Sequence, residues 1–184
     1  MADELIDIAD ENNNLTGIRK MKSEAHKSGL WHRASHIWIY NDIGEILLQF
    51  RSGEKKLYPR MWDVAAAGHI GAGEDPAEAA VRETLEEIGI PVALKDLDFW
   101  GTWKIESKYE DIRNNEFLYI YLYRFNGNEK ELVLQKEEVE AVRFFSADEI
   151  REGLKNESRK YVSQGNYWLE MMEAIGHRLA KSEK

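Results

Sequence analysis

Residues 68–90 read GHIGAGEDPAEAAVRETLEEIGI, and this stretch decides the fold. Asp75-Pro76 is a helix start: an acidic cap, then the residue whose missing N–H is no loss in a first turn. Gly89 followed by Pro91 is the matching stop. One helix therefore fills the interval, and Ala77, Val81, Thr84, Leu85 and Ile88 recur at the spacing of a core-facing stripe. Glu83 and Glu86 are three residues apart and Glu83 and Glu87 four, so three carboxylates become neighbours on the helix surface. Like charges held that close repel one another, and a hard divalent cation such as Mg²⁺, which takes carboxylate and phosphate oxygens, turns the repulsion into a binding site. The preceding loop carries Gly68, Gly71 and Gly73, which let its backbone bend tightly against the same cation.

Working outward from the helix, residues 5–9 and 15–20 flank Asp10-Glu11-Asn12-Asn13-Asn14 and predict an N-terminal β-hairpin over 5–20. Residues 32–40 and 45–50 flank Asn41-Asp42-Ile43-Gly44 and predict a second hairpin. A polar loop over 51–60 leads to Trp62 and to short strand segments running through Ile70. Beyond the helix, residues 97–109 and 116–125 read as two longer strands separated by the polar segment 110–115, and 139–145 as a last strand. Ser146 and Glu149 form a capping box opening a short helix. Trp168, Met171, Met172, Ile175 and Leu179 share one face of a C-terminal helix over about 164–181, with frayed ends expected from Lys181 onward. No repeat or linker interrupts this order, so residues 1–184 are expected to form a single α/β domain with a mixed sheet.

Composition narrows the function classes. A hydrophobic share of 43% and a charged share of 32% describe a globular chain. With no cysteine there is no disulfide, no thiolate metal centre and no thiol nucleophile. The net charge of -9 argues against a nucleic-acid polymer as partner, but not against a small polyanion that arrives with divalent cations. No run approaches the ~20 apolar residues of a membrane span. The N-terminus MADELIDIADENNN is acidic where a targeting peptide would be basic, so a cytoplasmic location is expected. A homodimer stays open.

A glutamate-rich helix in an acidic protein is, taken alone, usually a solvated face. The wider spacing overrides that reading: Gly68, five residues, Glu74, seven residues, Arg82-Glu83, two residues, Glu86-Glu87, one residue, Gly89, then apolar Ile90. At ~7% usage per residue type, seven specified identities coincide by chance with a probability on the order of 10⁻⁸ per start position. The pattern matches the Nudix box of residues 68–90, with Thr84 standing where that family usually has an aliphatic residue. The resemblance implies an α/β/α sandwich and a divalent cation, Mg²⁺ or Mn²⁺, ligated by Glu83, Glu86 and Glu87 with help from the main-chain carbonyl of Ala67 beside Gly68. It further implies that Arg82 orients Glu83, that Glu74 ties the loop to the helix, and that Gly68 and Gly89 are structural. The catalytic set is then Glu83, Arg82 and a base on the loop before the last strand, with Glu138 preferred within 135–138. The alternative for that segment is an exposed charge run.

Beyond the box, HRASHIWIYNDIGEILLQFRS over residues 32–52 and the run from Trp62 through Ala67-Gly68-His69 resemble a Nudix subgroup related to type I isopentenyl diphosphate isomerase. In that isomerase a proton-transferring cysteine precedes the Gly-His pair, and here the position is Ala67. His26, His32, His69 and Glu116 match its histidine-carboxylate metal set, while Asn114 replaces a second glutamate. A second metal site is weighed against histidines that simply hydrogen-bond within strands. His36 and His177 are read as structural or surface residues. Arg51, Lys55, Lys56 and Arg60 lie on the loop before Trp62, where they either hold substrate phosphates or are solvated. Trp62, Trp100, Trp103 and Tyr109 are read as core or pocket wall rather than base-stacking residues. The reading favoured is a hydrolase that cuts a diphosphate linkage in a small nucleoside-diphosphate-type or related molecule. The alternatives are an enzyme acting on prenyl diphosphates in the isomerase manner, and a non-catalytic diphosphate-binding module, whose expected mark would be a broken box.

Overall fold

The computed structural model describes residues 3–110, 112–162 and 165–182. In chain order the elements are β1 (Leu5–Ala9), β2 (Leu15–Met21), α1 (Lys22–Ser28), β3 (His32–Tyr40), β4 (Ile46–Arg51), β5 (Trp62–Val64), β6 (Ala66–His69) and α2 (Pro76–Ile88). They continue with β7 (Asp98–Tyr109), β8 (Ile112–Arg124), β9 (Val139–Phe145), α3 (Ala147–Asn156) and α4 (Tyr167–Ser182). β1 and β2 form the expected antiparallel hairpin, and β5-β4-β3-β8-β7 form a sheet in that order, with β6 joined to β3 and β9 to β4. β3 runs parallel to β8 and antiparallel to β4 and β6, so the sheet is mixed.

β3 is apolar on both faces because both are covered. Trp38, with Leu48, Leu118 and Leu122 from neighbouring strands, packs against Trp168, Met171 and Ile175 of α4 and Ile150 of α3. The alternate residues Ile37 and Ile39 turn to the other face and meet Ala80 and Ile88 of α2. Period-two alternation thus feeds two cores from one strand. The result is the three-layer α/β/α sandwich, with α2 on one face and α3 and α4 on the other.

Several boundaries differ from expectation. β8 begins at Ile112, because Tyr109 pairs with Ile112 and Arg113 with Lys108; the polar residues 113–115 lie inside a long ladder rather than in a loop. Sequence reasoning passed over α1, a short helix closed by Gly29 in the left-handed region (φ 63°). The second hairpin pairs only through Ile39 with Leu47 and Tyr40 with Ile46, and the rest of β4 pairs with β5 and β9. α4 starts at Tyr167 and stays helical through Ser182, beyond the expected fraying point, while residue 164 lies outside the described residues. Leu85, expected on the core stripe of α2, is 52% exposed. The buried face of that helix is Ala79, Ala80, Glu83, Thr84, Glu87 and Ile88, so two carboxylates point inward where an apolar stripe was read.

Candidate active site

α2 is set by its ends. The Asp75 carboxylate accepts from the Ala77 N–H at 2.8 Å, Pro76 opens the first turn, and Gly89 (φ 73°) closes the last, its N–H donating to the Leu85 carbonyl and the Ile90 N–H to the Thr84 carbonyl. The Thr84 hydroxyl donates to the Ala80 carbonyl at 2.7 Å, which accommodates a polar residue at an aliphatic position. This framing fixes which helix face meets β6.

Arg82 organises the surface side. Its guanidinium grips Glu74 in a fork, Nε to Oε1 and Nη2 to Oε2, both at 2.9 Å. It also donates to Glu83 Oε1 at 2.5 Å, to Glu86 Oε2 at 3.4 Å and to the His69 carbonyl at 3.2 Å. Glu74 in turn accepts from the Gly71 N–H at 2.8 Å, so loop and helix are tied together. The Glu83 carboxyl lies directly against Gly68, where a Cβ would stand 2.0 Å from its carboxyl carbon. Glycine is needed there for close approach, not for turn conformation.

Glu87 is 3% exposed, and its Oε2 accepts from Gln49 Nε2 at 3.0 Å and from the Ala67 N–H at 3.1 Å. Both donors are neutral. Burial pushes its carboxyl up to about 8, against the pull of Lys55, and burial also raises Glu83 against the pull of Arg82. Glu86 remains on the exposed side of the helix. Glu138, whose side chain is only 8% exposed, is paired with the Lys55 ammonium, whereas Gln135, Lys136 and Glu137 before it are exposed, so of the segment before β9 it is Glu138 that turns inward.

The expected histidine set also comes together. His26 Nε2 lies 3.3 Å from His32 Nε2 and 3.3 Å from His69 Nε2, and Glu116 Oε1 lies 3.4 Å from His32 Nε2 and 3.3 Å from His69 Nε2. His32 Nδ1 faces the Leu30 carbonyl at 2.9 Å. A carbonyl can only accept, so Nδ1 carries a proton and Nε2 is the nitrogen that faces the cluster, donating to Glu116 when protonated and offering a lone pair when not. Burial, reinforced by its histidine neighbours, drops His26 to about 4, and burial lowers His69. Burial alone would raise Glu116, but hydrogen bonds from His32 and His69 hold it well below the carboxylate range. Asn114 Nδ2 donates to Glu116 Oε2 at 2.6 Å, leaving Oε1 for the imidazoles. The Asn114 side-chain oxygen Oδ1 is buried with no partner among the described residues.

The remaining cations separate by partner. Arg51 is buried and spent on Asp63 (2.8 Å) and on the Leu57 and Tyr58 carbonyls, so it pins the 52–60 loop from beneath rather than facing outward. Arg60 is 73% exposed and 3.9 Å from Glu140. Trp62 packs on Phe145 in the core, Trp100 and Trp103 flank the same cluster, and Tyr109 meets Tyr58 edge-on with ring centroids 4.8 Å apart. His36 is buried with Nδ1 3.0 Å from the Tyr167 hydroxyl, and His177 is exposed. Sequence reasoning missed Gln49 as the donor to Glu87; its only signal was a polar side chain within the apolar run ILLQF.

Comparison with known proteins agrees with this geometry. The chain is 35% identical over 167 residues to Nudix hydrolase 3 of Arabidopsis thaliana, which covers 88% of this chain but only 22% of that longer protein. It is 34% identical over 168 residues to an uncharacterised Nudix hydrolase of Clostridium acetobutylicum, covering 90% of this chain and 81% of the relative. It is 31% identical over 143 residues to an isopentenyl-diphosphate Delta-isomerase of Pectobacterium atrosepticum, covering 78% and 76%. Among solved structures, a Deinococcus radiodurans protein superposes with a TM-score of 0.65 at 17% identity, over 95% of this chain and 98% of the other. The NUDIX domain family model matches residues 30–164, and with those relatives it establishes that this chain belongs to the Nudix family, in a subgroup resembling isopentenyl diphosphate isomerase.

Proposed function

We propose that this chain is a divalent-cation-dependent pyrophosphohydrolase acting on a small molecule that carries a diphosphate, of the nucleoside-diphosphate type or a relative of it. One observation carries the reading: the Glu83 and Glu87 carboxyls are buried against Gly68 and the Ala67 N–H, where burial disfavours their charge. Buried carboxylates of this kind call for a counter-charge, and an all-oxygen set of Glu83, Glu86, Glu87 and the Ala67 carbonyl suits Mg²⁺ or Mn²⁺. Such a cation, when bound, supplies charge neutralisation on the phosphoryl oxygens. Arg82 holds Glu83 in place through their hydrogen bond, while Glu74 keeps the glycine loop docked. Glu138, once released by Lys55, accepts the proton of the water that attacks phosphorus, and the bridging P–O bond breaks as the new one forms. Lys55 and Arg60 are the residues we assign to substrate phosphates; Arg51 we assign to holding their loop.

The test is a panel of nucleoside di- and triphosphates, nucleotide sugars, dinucleotides and prenyl diphosphates, with Mg²⁺ or Mn²⁺, scored for phosphate, monophosphate and isomer. Turnover of a diphosphate that is lost in excess chelator is expected. Full turnover in chelator would remove the mechanism.

The histidine cluster supports a second cation site. Four of the contacts among His26, His32, His69 and Glu116 are 3.3–3.4 Å, and all four ligand atoms lie within 4.8 Å of one another, close enough for one cation to draw them together. We assign this site a structural or substrate-positioning role. Metal analysis of the protein, purified without chelator, against a His32→Ala variant tests it, and equal metal content would remove the assignment.

A further inference from the structure

Lys55 sits among the buried acids of the site. Its side chain is 15% exposed and is paired with Glu138, itself 8% exposed. Of the positive charges acting on Glu87, Lys55 acts most strongly, ahead of Arg51. Arg51 cannot take over, because its guanidinium is committed to Asp63 and to the Leu57 and Tyr58 carbonyls. Arg82 is likewise committed to Glu74 and Glu83. The loop that carries Lys55 departs from β4 at Arg51, and Tyr58 (φ 50°) and Arg60 (φ 56°) both adopt left-handed backbone, which is strained for a non-glycine residue. Such a conformation persists only where contacts hold it. Those contacts include the Arg51 guanidinium at the root, the Gly53 N–H on Glu140, the Tyr58–Tyr109 ring pair, and the Lys55–Glu138 pair.

We propose that Lys55 is an intramolecular counter-ion for the carboxylate cage, seated against Glu138 in the metal-free protein and leaving it when a divalent cation is bound there. The proposal rests on the hydrolase reading above for the identity of the cage. An ammonium and a divalent cation attract the same carboxylates and repel each other, so occupancy by one disfavours the other. The departure of Lys55 has two consequences. Glu138 regains a lone pair to accept a proton, and the ammonium becomes available to a substrate phosphate. Loop 52–60, released at one of its anchors, is the element that moves. Base activation and phosphate binding are thereby tied to cation loading.

Two measurements test this. Isothermal titration and thermal melts with Mg²⁺, which prefers oxygen ligands over imidazole, are run on the parent and on the Lys55→Met, Lys55→Arg and Glu87→Gln variants. Lys55→Met should bind Mg²⁺ on the order of ten-fold more tightly, and its Mg²⁺-induced rise in Tm should exceed that of the parent. Lys55→Arg, which keeps the charge, should stay near the parent. If Lys55→Met matches the parent in both affinity and Tm rise while Glu87→Gln loses Mg²⁺ binding, the counter-ion proposal fails and the hydrolase reading stands. If Glu87→Gln binds Mg²⁺ as the parent does, both fail. The second measurement uses the unaltered protein: reductive methylation with formaldehyde and borohydride, mapped by mass spectrometry. Lys55 should be protected in chelator and methylated several-fold faster in saturating Mg²⁺. An unchanged or slower rate would overturn the proposal even if the variants did not fold.

Discussion

Replacing Glu87 by Gln should stabilise the metal-free protein. Glu87 is fully enclosed, and burial raises its carboxyl from the ordinary 4.5 to about 8. A carboxyl raised on folding contributes its full stability below pH 4.5 and loses it as pH rises toward 8. At pH 7 folding must protonate a group that the unfolded chain holds ionised. That spans about 2.5 pH units at ~1.4 kcal/mol each, or ~3 kcal/mol. Gln avoids the cost, keeps the shape, and its carbonyl still accepts from Gln49 and from the Ala67 N–H. For a domain of this size ~3 kcal/mol corresponds to a rise in Tm of ~6–10 °C. The assay is urea unfolding of parent and variant in chelator at pH 4.5, 6, 7 and 8. The gap should be near zero at the acid end and widen with pH, and added Mg²⁺ should stabilise the parent alone. Glu86→Gln is the control, since Glu86 is exposed and its change should stay within a few tenths of a kcal/mol. A Glu87→Gln variant less stable than the parent in chelator, or a gap independent of pH, would refute the reasoning.

Three further outcomes follow from the same geometry. Gly68→Ala places a methyl 2.0 Å from the Glu83 carboxyl carbon, so turnover should fall by ~10²-fold or more with the fold retained by circular dichroism; wild-type kinetics would show that Glu83 need not sit there. On the acid side, His26 is depressed to about 4, so metal-free stability should fall as pH drops from 6.5 toward 4, where the unfolded chain alone takes up the proton. His26→Gln should lose less over that window in urea titrations, and an equal loss would sink the point. The chain should not interconvert isopentenyl and dimethylallyl diphosphate, because the methyl of Ala67 carries no transferable proton; isomer formation at enzyme-like rates in a chromatographic assay would contradict this.

The helix at the centre of the site was legible because its signals are local. Asp75, Pro76 and Gly89 act within a turn of themselves, and each does in the structure what the sequence implies. The strands 32–40 and 139–145 were legible for a similar reason, as apolar runs bounded by turn chemistry. The inward face of α2 was not. Periodicity counts apolar residues, so it placed Leu85 in the core and the glutamates outside, whereas the helix turns Glu83 and Glu87 onto β6 and leaves Leu85 in solvent. The start of β8 failed in the same way. Arg113, Asn114 and Asn115 read as loop, yet they extend a ladder that brings Asn114 under Glu116, a polar role that hydrophobic pattern cannot register.

What links these failures is β6, four residues long. Its registers with β3 set Gly68 opposite Ser35 and His69 opposite Ala34. Successive residues of that strand then serve different partners: the Ala67 N–H reaches Glu87, Gly68 makes room for Glu83, and the His69 ring enters the histidine cluster while its carbonyl accepts from Arg82. A one-residue slip would move every one of these groups to the wrong face. The carboxylate cage and the imidazole cluster are therefore positioned by one register. That register is held by pairing along β3, whose own partner β8 delivers Glu116 opposite His32. Sequence spacing could identify the acids and histidines, but only the pairing of three strands distant in sequence decides that the two sets lie on either side of one short strand.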